Sequence, residues 1–175
     1  FKGRYNNMVV LEEGISEKWS QVENNYQRRA DLIPNLVNTI KDYADHEQET
    51  LTEVIEARAR ATSMTVKPED LNTESIRQFQ QAQDGLSSAL SKLLVVVERY
   101  PDLKANQNFR DLQVQLEGTE NRITNARRKF NESTFDYNSY IRTFPNNLLA
   151  GIFGFDKKPY FEGVQGTELA PEVKF

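Results

Sequence analysis

The stretch FRDLQVQLEGTENRITNARRKFNESTFDYNSYIRTF, residues 109–144, decides the fold. In it Phe109, Leu112, Leu116, Thr119, Ile123, Ala126, Phe130, Tyr137, Ile141 and Phe144 follow a three-and-four spacing for about five heptads. An α-helix places such positions on one face. With its flanks the segment approaches roughly 40 residues, or about 60 Å at 1.5 Å per residue. Such a rod is expected to outreach its partners and to project at one end.

Three earlier segments share this periodicity, separated by Pro34, Pro68 and Pro101. The first carries Met8, Leu11, Ile15, Trp19, Val22 and Tyr26 on one face. The second carries Leu36, Ile40, Tyr43, Leu51, Val54 and Ala61. Proline fits a first helical turn, whose N–H groups lack partners, and Asp31 can cap that turn. A sharp turn is therefore expected near Arg29 to Asp31. The competing reading is a single long helix, kinked at Pro34, that leaves a three-helix arrangement. The third segment carries Ile76, Phe79, Leu86, Leu93, Val97 and Tyr100, with Asn72 or Thr73 as cap.

Four amphipathic helices with short connections predict an all-α protein, an antiparallel four-helix bundle over residues 1–145. Residues 146–175, marked by Gly151, Gly154, Pro159, Gly163, Gly166 and Pro171, read as an irregular tail. Ile152, Phe153, Phe155, Tyr160 and Phe161 would pin its first part to the bundle, and the last dozen residues would stay loose.

Composition narrows the chemistry. The 175 residues include no cysteine and one histidine. That excludes disulfides, thiolate metal sites, cysteine nucleophiles, HExxH hydrolases and paired Glu-x-x-His di-iron sites. No phosphate-binding glycine loop or GxSxG elbow is present. No catalytic residue, metal or cofactor is expected. The net charge of −4 is spread evenly, and no basic platform for nucleic acid stands out. No run approaches the roughly 20 apolar residues that span a bilayer.

Some residues stand out against their helices. Asp42, Asp45, Glu49, Glu53 and Glu56 form an acidic stripe on the second segment, opposite its apolar face. A solvated face explains it better than a calcium site, whose oxygens must converge. His46 lies off the apolar face and reads as surface. Glu47 and Arg58 project close to the apolar stripe, where a charge must be paired or reach water. Glu120 and Arg127 lie beside the stripe of the last helix. The expected polar network pairs Glu47 with an arginine and Arg58 with a carboxylate, fixing helix register. Arg28 and Arg29, and Arg128 and Lys129 beside Arg127, are basic runs that can meet anionic lipid or a partner. Phe135 falls opposite the last helix's apolar stripe. Exposed, it marks a partner surface; the tail is expected to fold over it.

Several motifs stand in order along the chain: Tyr5-Asn6-Asn7-Met8-Val9, Trp19, RRADLIPNLV from Arg28 to Val37, His46-Glu47 and Ala57-Arg58. They continue with Tyr100-Pro101-x-Leu103-Lys104, Leu112-Gln113, Leu116, Thr119-Glu120-x-x-Ile123, Ala126-Arg127 and Phe130-Asn131. Tyr137-Asn138, Phe144-Pro145, Gly154-Phe155 and Tyr160-Phe161-Glu162 complete the set. Together these motifs resemble the LemA family. Phe130 replaces the family's usual tyrosine and Thr134 its usual aliphatic residue. The resemblance implies a helical bundle from a bacterial membrane protein, with one transmembrane helix just before the Tyr-Asn motif. It implies no agreed enzymatic activity and makes a scaffold or adaptor role plausible. Other proteins at the membrane would be its partners. A self-assembling coiled-coil component, or a cation- or ligand-binding bundle using the acidic stripe, is the alternative. Lys2 and Arg4 after the anchor point to the cytoplasmic side, though the residues before the anchor are unseen.

Overall fold

A computed structural model describes residues 1–162, and these are all helix and connection. Six helices follow in order: α1 Lys2–Lys41, α2 Gln48–Ser63, α3 Thr73–Val97, α4 Pro101–Lys104, α5 Gln107–Arg142 and α6 Asn146–Phe153. A 3-10 turn at Pro68–Asp70 precedes α3. No strand occurs among the described residues.

The expected turn at Arg29 to Asp31 does not exist. Helix α1 runs for 40 residues with Pro34 inside it. The apolar spacing explains why: Tyr26, Ala30, Ile33, Val37 and Ile40 keep the stripe of the first segment through the proline, and all are buried. A proline at this position offers no N–H to the carbonyl of Ala30, four residues earlier. The Arg58 Nε–H on α2 donates to that carbonyl instead, at 2.8 Å. The chain breaks later, after Lys41. There the amides of Tyr43 and Ala44 both close on the Ile40 carbonyl, at 3.1 and 2.9 Å, and the buried Ala44 pins the turn. The last long helix, α5, has 36 residues, more than the 16 of α2 and the 25 of α3 but fewer than the 40 of α1.

Helix ends follow local chemistry. At the start of α3, the Ser75 amide donates to Asn72 Oδ1 at 2.8 Å and the Asn72 amide donates to Ser75 Oγ at 2.9 Å. This reciprocal cap satisfies two donors at a helix start. Asn106 Oδ1 caps α5 by accepting from the Phe109 amide at 2.9 Å. The segment after Pro145, read as irregular, opens with the helix α6. Gly154 ends it at φ +75, a left-handed conformation that glycine adopts without a Cβ clash.

The packing divides into two units. Unit 1 comprises Phe1–Glu23, Val66–Arg77 and the described residues from Thr124 onward. Its core centres on Trp19, whose ring lies 5.7 Å from Phe130 and 5.8 Å from Phe161. The Trp19 indole N–H donates to the Val66 carbonyl at 2.7 Å, so the tryptophan's polar atom is satisfied inside. Unit 2 comprises Asn24–Thr65 and Gln78–Ile123. Its core gathers Ile33, Leu36, Ile40, Leu51, Val54, Leu86, Leu93, Leu103, Phe109 and Leu112, all buried. Within unit 2, Thr39 meets Asn108 and Arg29 meets Glu120, so α1 and α5 run in opposite directions there. Gln83 near Ala61 and Lys92 near Glu53 give the same sense for α2 and α3.

Candidate functional site

Three polar or apolar constellations stand out once the helices are placed. The first lies inside unit 2, around Arg29. This residue was read as part of a surface basic run, yet its side chain is fully buried. Because α1 continues through Pro34, position 29 falls on the inward stripe rather than in a turn. Gln83 interrupts the stripe of α3 between Phe79 and Leu86, and the two polar residues meet. Arg29 Nη2 donates to Gln83 Oε1 at 2.9 Å and to the Gln83 carbonyl at 3.0 Å. Arg29 Nη1 donates to Ser87 Oγ at 2.7 Å and to Glu120 Oε1 at 3.2 Å. The Gln83 amide fixes its own orientation by reaching the Ala61 carbonyl at 3.5 Å. The guanidinium also lies 5.1 Å from the centre of the Tyr26 ring. Four helices, α1, α2, α3 and α5, are thus tied by one arginine and one glutamine. Such a cluster sets register, because a slip of any helix strands a buried charge.

The second constellation belongs to unit 1, where α5 holds the chain that follows α6. Asn131 Nδ2 donates to the Phe161 carbonyl at 3.1 Å, and the Phe161 amide donates back to Asn131 Oδ1 at 2.9 Å. Two helical turns later, Asn138 and Lys158 repeat this exchange at 2.9 and 2.8 Å. The side-chain amides imitate the paired donor and acceptor of a backbone strand. Between them, the Tyr137 hydroxyl donates to the Asp156 carbonyl at 2.9 Å. Burial, then the neighbouring Glu12 carboxylate, holds the Tyr137 phenol well above the ordinary tyrosine range. Glu23 also sits above the usual carboxylate range. Burial raises it more than hydrogen bonds to the Val66 backbone and Trp19 lower it. The tail therefore docks through backbone hydrogen bonds as well as through the expected aromatic side chains. Of those, Phe161 is buried, Phe155 and Tyr160 are half-buried, and Ile152 and Phe153 stay exposed.

The other residues singled out in the sequence are placed as follows. Half-buried Glu47 accepts from the Tyr100 hydroxyl at 3.0 Å, not from an arginine. Arg58 serves the Ala30 carbonyl rather than a carboxylate. Glu120 meets Arg29. Arg127 donates to the Glu162 carbonyl at 3.2 Å and lies 4.9 Å from the Phe161 ring centre. Arg28, Arg128 and Lys129 are exposed. The described part of the tail leaves Phe135 open, 52% exposed, so it does not cover this ring as expected. The acidic stripe is broken. Asp42 and Asp45 fall in the connection after α1, while Glu49, Glu53 and Glu56 ride on α2. Among the described residues, no three His, Asp or Glu side chains gather to hold a metal ion.

Sequence reasoning missed Arg29 and Gln83 as a pair, although a signal existed: each is a lone polar residue on an otherwise apolar stripe. It also missed the third constellation, at the start of α1. Arg4 Nη1 donates to Asn146 Oδ1 at 3.0 Å, and the Tyr5 ring stands 5.0 Å from Phe153 and 5.6 Å from Phe155. Asn7 Nδ2 donates to the Tyr140 hydroxyl at 3.2 Å. These contacts lay α6 beside the first turns of α1, with several large apolar side chains outward. Among the described residues, no helix is long and apolar enough to cross a membrane.

Known proteins similar to this chain are bacterial. It is 28% identical to magnetosome protein MamQ 2 of Paramagnetospirillum magneticum, over 91% of this chain and 65% of that protein. Magnetosome protein MamQ of Magnetospirillum gryphiswaldense is 28% identical, over 90% of this chain and 64% of that protein. Protein LemA of Metamycoplasma hominis is 24% identical, over 86% and 65%. The chain thus spans somewhat less than two thirds of the curated relatives it matches. The LemA family model matches from residue 18 to residue 175, across both units and nearly the whole periodic pattern, and the chain belongs to the LemA family.

Proposed function

We propose that this chain is the helical domain of a bacterial membrane-associated protein, acting as a non-enzymatic scaffold or adaptor. In this reading α1, α2, α3 and α5 form an antiparallel four-helix core in unit 2. The domain is held at the cell membrane by a segment outside the present sequence. The observation that carries the reading is the inward use of polar chemistry. Arg29, Gln83 and Ser87 bond to one another, and Arg58, Asn131 and Asn138 bond to backbone groups. Polar groups so engaged hold helices in register and are not free to move protons or bind substrate. The similarity to magnetosome proteins supports a place at a membrane. A tethered domain also gains from proximity, since weak contacts at a surface act at high effective concentration.

The test is crosslinking and affinity capture of the full-length protein from native membranes, against a control bearing only its membrane segment. The scaffold reading expects a reproducible set of proteins enriched over that control. No enrichment removes it.

A further inference from the structure

We propose that the end of unit 1 built from α6 and the first turns of α1 rests on an anionic lipid surface, with the outward face of α6 at the headgroup boundary. This rests on the membrane association proposed above and turns it into a specific contact.

Helix α6 has two unlike faces. Leu149 and Ala150 are buried, whereas Leu148 and Ile152 are 58% and 75% exposed. The latter two lie about 40° apart on the helical wheel, so they form one outward stripe. Phe144, in the turn leading into α6, is 81% exposed, and Phe153 at its end is 53% exposed. Four large apolar side chains within ten residues thus face outward. They are continuous with Tyr5, whose ring touches Phe153.

Charge says what covers this face. Residues 1–11 and 138–155, which build this end, contain Lys2, Arg4 and Arg142 and no carboxylate; Glu12, next along α1, is paired with Lys158 at 3.8 Å, and Asp156 is followed by Lys157. The whole chain has 26 acidic against 22 basic residues, so this end opposes the overall balance. Arg4 is held in place by Asn146, at the first residue of α6. An apolar helical face rimmed by cations is how interfacial helices hold an anionic bilayer. A second copy of the chain fits less well, because a two-fold interface sets each patch against itself and brings like charges together.

The test is flotation of the 175-residue chain with vesicles. One set is phosphatidylcholine alone, and the other contains about one-third phosphatidylglycerol to set an anionic surface potential. The chain is expected to float with the anionic set, to release at high salt, and to ignore the neutral set. The double variant Leu148→Ser/Ile152→Ser, with unchanged helical circular dichroism, is expected to bind about tenfold more weakly, since it removes the buried apolar area that such binding scales with. Ile55→Ser/Val114→Ser, exposed apolar residues of unit 2, should bind as the parent chain does. No flotation with anionic vesicles, or equal binding by the α6 variant, overturns the proposal. So does a dimer, seen by sedimentation velocity without vesicle binding, that the α6 variant abolishes. Should the chain fail to float while the full-length protein stays in the membrane fraction, this contact falls and the membrane association stands.

Discussion

Pro34→Ala and Arg58→Met, made singly and together, test whether one side chain replaces a missing backbone donor. In α1 the carbonyl of Ala30 faces a proline four residues on and receives the Arg58 Nε–H at 2.8 Å. Methionine keeps much of the apolar stem of Arg58 and deletes the donor. A hydrogen bond from a charged group contributes about 1.5–3 kcal/mol. Arg58 is half-buried, so the lower figure, about 1.5 kcal/mol, applies to Arg58→Met. For a chain of this size that lowers Tm by roughly 3–6 °C. In the Pro34→Ala background the amide of residue 34 can reach the Ala30 carbonyl by the ordinary helical bond. Arg58 is then redundant, and Arg58→Met should cost only about 0.5 kcal/mol. The coupling, about 1 kcal/mol, stands clear of the roughly 0.3–0.5 kcal/mol within which independent substitutions add. Urea titrations followed by circular dichroism measure all four corners of the cycle. Pro34→Ala itself should stabilise, because an interior proline costs about 3 kcal/mol of helix propensity, part of which is returned through the stiffer unfolded chain. If Arg58→Met costs the same in both backgrounds, the replacement argument is wrong.

Arg29→Met removes the guanidinium donors from the buried cluster and should cost about 3 kcal/mol, whereas Glu120→Gln, at a half-exposed partner, should cost about 1 kcal/mol or less by urea titration. Equal costs would place the energy in the ion pair rather than in the bonds to Gln83 and Ser87. The buried hydroxyl of Thr134 has no hydrogen-bond partner among the described residues, so Thr134→Val should leave stability unchanged or raise it by about 1 kcal/mol, and a clear loss would contradict this. Tyr137 holds its proton more tightly folded than unfolded, where it titrates near 10. As pH rises past that point the unfolded chain releases a proton that the folded chain retains, so stability falls. Tyr137→Phe should flatten that alkaline decline in pH-dependent melting curves, and an unchanged slope refutes it.

The periodic apolar spacing alone settled the all-α class, because burial of a 3.6-residue stripe is a property of sequence order. The Asn72 cap of α3 was equally local, since its two hydrogen bonds span three residues. The family was legible too, through motifs spread from Tyr5 to Glu162. Other features depended on partners distant in sequence. Proline carries a strong local signal for a break, and it misled here because the donor that rescues Ala30 comes from Arg58, 28 residues away. The true break after Lys41 has neither proline nor glycine to announce it. Once the turn was placed at Arg29, its charge read as surface; only the packing of α1, α2, α3 and α5 shows it buried and bonded. The tail reads as irregular in sequence because glycines and prolines punctuate it and the helical spacing stops. Its docking is instead set by Asn131 and Asn138, whose amides bond to backbone groups 20 and 30 residues away. Sequence order fixes which residues seek burial. Which polar groups can be buried depends on the partner that meets them, and only the tertiary structure supplies that partner.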